Sequence, residues 1–187
     1  MKYLKNTIKE NFNIFIISII FVFLSFLIGF FMPQNVQYKW IDFVKKYISN
    51  IQFNVFNIFL NNIFVSLLII VGGLIFCLPS FILIGINFFS LGILMRFFLS
   101  VEKLRVFIIS LLPHSIFELP AIFISLLFGI KVFKLFYIEK HKFDSFFLDK
   151  IKKYILIAIL LFLIAAIIEV YITPIIILNF LKADFTF

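Results

Sequence analysis

Long unbroken apolar runs alternate with short polar segments along most of the chain. The runs cover about 14–31, 58–77, 80–99, 106–130 and 154–180. Each is close to the length of about 20 residues that a helix needs to cross a hydrocarbon core. They are continuous rather than alternating, which argues for helices and against the short strands of a transmembrane barrel. The pattern therefore predicts an all-α, polytopic helical membrane bundle with five transmembrane spans. Residues 1–187 form a single integral membrane domain, because no soluble domain remains once the spans are removed. The first run is long for a signal peptide and no small-residue cleavage motif follows it, so it is expected to be a retained span.

One segment departs from this pattern. Between about 38 and 51, Trp40, Phe43, Val44, Tyr47, Ile48 and Ile51 recur at spacings of three and four, while Asp42, Lys45, Lys46, Ser49 and Asn50 fill the other side. This predicts an amphipathic helix. Its Trp40 and Tyr47 suit the headgroup layer of a membrane; the other reading is a short helix packed on the bundle.

Composition narrows the class. The chain is 64% hydrophobic and 14% charged, too little polar side chain to cover a water-facing surface of this size. The net charge of +8 sits between the apolar runs. Nucleic-acid binding would need a soluble basic face, and none is evident. Residues 131–153 carry seven lysines among aromatics and form the most basic loop, suited to anionic lipids. With the N-terminus cytoplasmic, ten of the 17 basic residues fall on the inside, which places the protein in the cell membrane with its basic loop inward. Cys77 lies in an apolar run and has no second cysteine with which to pair.

Ionisable and amide side chains within a bilayer are costly, about 2.5–3.5 kcal/mol for a central charge, so their positions carry information. In the fourth run His114, Glu118, Ala121, Ser125 and Gly129 are spaced 4, 3, 4 and 4, which puts them on one helix face. In the fifth, Ala158, Ala165, Glu169 and Thr173 share a face. In the second, Asn62, Ser66 and Gly73 do. The third has Gly85 and Gly92, with Asn87 nearby. Small residues let helix backbones approach and polar groups bond across the contact, so these stripes are expected to face one another around a polar membrane centre of His114, Glu118, Glu169, Asn62 and Asn87. Glu118 and Glu169 are expected to come within reach of each other or of His114, with Arg96 another candidate partner.

Three prolines shape this region. Pro113 and Pro120 lack an N–H and free the carbonyls of Ile109 and Ile116; Pro174 interrupts the fifth run. Either the fourth segment is a continuous, kinked span, or it breaks near Leu112–Pro113 and re-enters the membrane.

The stretch "LLPHSIFELPAIFISLLFG" (111–129) resembles the signature of the stage II sporulation protein M family, a Pro-His-Gly-x-x-Glu-Leu-Pro-Ala pattern in a membrane segment. "FLNNIFVSLLIIVGGL" (59–74) is similar to that family's asparagine-pair span, "GINFFSLG" (85–92) to its Asn-Gly segment and "IIEVYITP" (167–174) to its Glu-x-x-x-Thr-Pro ending. Ser115 and Phe88 stand where the family usually has glycine. The resemblance implies a polytopic membrane protein whose relatives in spore formers act with two peptidoglycan-degrading partners in engulfment. It carries over Asn62, Asn87, His114, Glu118 and Glu169, and no catalytic activity.

Three function classes follow. The first is a non-catalytic membrane scaffold of a complex, with membrane-protein partners, a homodimer among them, and a role in membrane remodelling. The second is a transporter, channel or lipid-moving protein that uses the polar centre. The third is an intramembrane metalloenzyme with His114, Glu118 and Glu169 as ligands. It lacks the His-Glu-x-x-His pattern and a second histidine in a span. The first is the expected reading, with no enzymatic activity and no cofactor.

Overall fold

A computed structural model describes residues 12–49, 52–139 and 145–184. No strand occurs among these residues. The helices are α1 (Phe12–Phe30), α2 (Gln34–Ser49), α3 (Val55–Val71), α4 (Leu78–Ser100), α5 (Leu104–Phe133), α6 (Ser145–Ile167) and α7 (Thr173–Asp184). Five helical stretches, Phe12–Phe30, Val55–Ile75, Leu78–Ser100, Leu104–Ile138 and Tyr154–Phe180, are long and apolar enough to cross a membrane.

Local chemistry sets the helix ends. The Asn54 side chain accepts the Asn57 amide at 2.8 Å and caps α3. That helix tightens into a 3₁₀ turn at Gly72–Ile75. The chain then reverses through Phe76 and Cys77, both at positive φ, and Pro79 opens α4 in its first turn. The Ser80 hydroxyl donates to the Ile69 carbonyl at 2.6 Å across this reversal. Here the 58–77 and 80–99 runs form the tight hairpin that their spacing predicts.

Two parallel pairings organise the bundle. The α1 helix lies along α4, with Phe21 against Phe81 and Gly29 against Phe89. The α3 helix lies along α5, with Ser66 against Ser125 and Gly73 against Gly129. Both seams are closed by glycines used reciprocally. A Cβ on Gly29 would run into the Phe89 carbonyl, and one on Gly92 into that of Phe26. A Cβ on Gly73 would meet the Gly129 carbonyl, and one on Gly129 would lie 2.6 Å from that of Ile69. Antiparallel to α5 runs α6, whose Ala158, Phe162, Ala165 and Ala166 are buried. Leu126, Phe128, Ile130 and Phe162 fill this half of the core.

Two expectations change. The Gly85 and Gly92 face of α4 turns to α1 rather than to the other polar stripes: Gly85 lies against Phe21 and Ser25, Gly92 against Phe26 and Phe30. The 131–153 segment is helical for most of its described length. Its Val132 and Leu135 are buried and continue the inward face of α5. That helix passes into a π-turn over Lys134–Glu139, and α6 opens at Ser145.

The α2 helix packs on α4. The Trp40 Nε1 donates to Ser90 Oγ at 3.1 Å, and its ring meets Phe89 edge-on. Among its described side chains Gln37 and Ile41 are buried, whereas Phe43 of the apolar stripe is exposed. Tyr47 belongs to α2; its side chain and residues 50–51 lie outside the described part.

Candidate functional site: a polar groove at one end of the bundle

The 30 residues of α5 make a rod about 45 Å long, and the helix is continuous through Pro113 and Pro120. The fourth segment is therefore one unbroken helix, long and apolar enough to cross a membrane, rather than a pair broken at Pro113. Along its inward face Ala121, Ser125 and Gly129 are buried. Ser125 Oγ donates to the Ala121 carbonyl at 2.8 Å and shares a 2.6 Å hydrogen bond with Ser66 Oγ. Polar groups on this half are satisfied and the packing is apolar.

Toward the start of α5 the same face changes character. The His114 Nε2 lies 3.9 Å from Glu118 Oε2, with side chains 12% and 27% exposed. Glu118 and Glu169 are close enough to interact electrostatically. The segment carrying Glu169 owes its position to Pro174. Proline cannot donate to the carbonyl four residues back and its ring crowds that turn. The preceding residues Ile168–Ile172 widen into a π-turn, in which the Thr173 amide reaches the Ile168 carbonyl. Turns of this kind re-aim side chains and recur at functional sites.

The result is an open groove of about 520 Å³ between the start of α5 and the end of the fifth span. Ser110, His114, Glu169 and Thr173 give it a polar side; Phe53, Pro174, Ile177 and Leu178 give it an apolar one. Two buried polar atoms of lining residues, His114 Nδ1 and Thr173 Oγ1, have no hydrogen-bond partner among the described residues. Ser110 Oγ is already committed as a donor to the Phe107 carbonyl at 2.8 Å.

The structure thus brings His114, Glu118 and Glu169 together. Asn62 is half-buried on α3 one turn before Ser66 and is not part of the groove lining. Asn87 lies apart from this group. It is exposed in the middle of α4 and its amide returns to the Leu83 carbonyl of its own helix at 3.2 Å. It is on the outer side because the small residues of α4 are taken up by α1. Arg96 is exposed with its guanidinium 5.6 Å from the Phe30 ring centre, and so is committed elsewhere. Among the described residues no three His, Cys, Asp or Glu side chains converge as a metal-ligating group. Ser110 and Phe53 were not picked out in the sequence; Ser110 precedes His114 by one helical turn and extends the polar stripe.

The family model described as stage II sporulation protein M matches residues 14–174, a range that takes in both glycine seams and every groove-lining residue but Ile177 and Leu178. An uncharacterized protein from Methanocaldococcus jannaschii is 36% identical over 172 residues, covering 85% of this chain and 93% of that relative. No solved structure matches the chain.

Proposed function

This chain belongs to the stage II sporulation protein M family, and from that premise we propose that it is a non-catalytic, multi-pass membrane scaffold that holds other membrane proteins and helps to shape the bilayer around them. The observation that carries this reading is Asn87. An amide exposed at mid-span, bonded among the described residues back to Leu83 of its own helix, is costly against lipid and well placed against another helix, with which it can bond across a contact. The other half of the bundle supports the same reading, because Ala121, Leu126, Phe128, Ile130 and Phe162 are buried there. The basic 131–153 segment is the part suited to anionic lipid on the cytoplasmic side.

A photo-crosslinking residue at Asn87, expressed in native membranes, tests this. Discrete protein adducts are expected there, with partners or with a second copy, and none from the exposed Leu160 on α6. A protein that forms no adduct at Asn87 would overturn the scaffold reading.

The open groove favours a second reading, in which His114, Glu118 and Glu169 handle an ion or lipid for transport. Liposome flux with a pH-sensitive dye separates the two: flux that is lost in Glu118→Gln supports transport, and its absence in the unmodified chain rejects it.

A further inference from the structure

Two groove-lining residues each carry a buried polar atom without a partner among the described residues, His114 Nδ1 and Thr173 Oγ1. An unmade hydrogen bond at a buried group costs about 1–3 kcal/mol, and native proteins rarely keep such groups without a use. Both belong to residues that line the same space, and Glu169 lines it too. Thr173 is only 6% exposed and lines this groove.

The chemistry of these atoms defines a ligand. His114 Nε2 faces Glu118 Oε2 at 3.9 Å, and in the tautomer that carries its proton on Nε2 the imidazole presents Nδ1 as an acceptor. The Glu169 carboxylate contributes acceptor oxygens, and the Thr173 hydroxyl has two lone pairs. A set dominated by acceptors calls for a guest rich in N–H donors. The facing wall is hydrocarbon, so the guest also has an apolar body. A primary ammonium group on an alkyl stem meets both demands: it brings three donors and no acceptor.

We propose that this groove binds a primary alkylammonium group, with His114 Nδ1, Glu169 and Thr173 Oγ1 accepting its three N–H bonds and Phe53, Ile177 and Leu178 covering its alkyl stem. The amine arrives either as the headgroup of an aminophospholipid or as a soluble amine. The proposal is independent of the scaffold reading: losing the amine leaves the Asn87 adducts unchanged.

The test uses the full chain in phosphatidylcholine nanodiscs and octylammonium as probe, with empty nanodiscs to subtract partitioning. Saturable binding is expected. Octyltrimethylammonium, which has the charge and the stem but no N–H, should bind at least tenfold more weakly. Thr173→Val keeps the shape of the side chain and removes the hydroxyl; it should weaken binding about tenfold, the weight of one hydrogen bond to a charged group, and Thr173→Ser should restore it. Nanodiscs containing phosphatidylethanolamine separate the sources. A rise in the apparent Kd for octylammonium identifies the lipid headgroup as occupant, and an unchanged value identifies a soluble amine. Equal binding of the two octyl probes, or wild-type binding by Thr173→Val, overturns the proposal.

Discussion

A methyl group at Gly129 probes the seam between α3 and α5. Its carbon would lie 2.6 Å from the Ile69 carbonyl oxygen, a backbone atom that cannot swing aside. A carbon–oxygen contact settles at about 3.3 Å or more, so Gly129→Ala has to part the two helices by about 0.7 Å. Overpacking of this kind typically costs about 1–3 kcal/mol. Carried to the next turn, the opening also stretches the 2.6 Å bond between Ser66 and Ser125 beyond good O–H···O range, a loss of about 0.6 kcal/mol for an interhelical bond in a membrane. Alanine returns about 1 kcal/mol through its higher helix propensity. The net expectation is destabilisation by about 1–2 kcal/mol, read by mixed-micelle unfolding of the full chain. Gly85→Ala is the control: its new carbon would stand 3.1 Å from the Phe21 ring, a side chain that can rotate, so the loss should be distinctly smaller. A Gly129→Ala chain as stable as the unmodified one, or no less stable than Gly85→Ala, would refute the seam as described. A double-mutant comparison sharpens the point, because Ser66→Ala should cost less in the Gly129→Ala background than alone.

Further measurements bear on other contacts. Tyr137 Oη donates to the Leu74 carbonyl at 2.7 Å and its ring stacks on Phe76 at 4.4 Å; Tyr137→Phe should cost about 1 kcal/mol and Tyr137→Ala clearly more in the same unfolding assay, and equal losses would mean that the hydroxyl bond contributes nothing. Cys77 is buried with its Sγ 3.8 Å from the Gly129 carbonyl; maleimide should label it at least tenfold more slowly in the folded protein than after unfolding in detergent, and similar rates would contradict its burial. Trp40 is the single tryptophan of the chain, so Ser90→Ala, which removes the partner of its Nε1, should raise acrylamide quenching of the fluorescence as α2 loosens from α4; unchanged quenching would show that this bond does not hold the helix.

The sequence carries the stripes that matter most. The spacing of His114, Glu118, Ala121, Ser125 and Gly129 returns in the structure as one inward face of α5, because helical periodicity is a local property that survives any packing. Which stripe meets which is not local. Gly85 and Gly92 resemble the glycines of the other spans, yet they serve α1. The signal for this was present in the first run, where Ser18, Val22, Ser25 and Gly29 are spaced 4, 3 and 4 and all four are buried. Amid so many Phe and Ile residues that stripe is faint. The continuity of α5 through two prolines and the π-turn before Pro174 depend on neighbouring helices that re-satisfy freed backbone groups, and no single-helix pattern encodes that. Ile41 of α2 illustrates the same limit, since its burial comes from the packing of α2 on α4 and not from a pattern within α2.

The parallel pairing of α1 with α4 has a consequence for how the protein is made. Gly29 fits against Phe89, which is synthesised 60 residues later. At about 5–20 residues per second, the first helix stands in the bilayer for about 3–12 s with its serine and glycine stripe facing lipid or whatever the insertion machinery offers. During that interval another chain's small-residue helix competes for the same face. Correct assembly therefore depends on the order of events in biogenesis as well as on the finished contacts, and slowing translation between the first and third spans should favour mispairing without altering one residue.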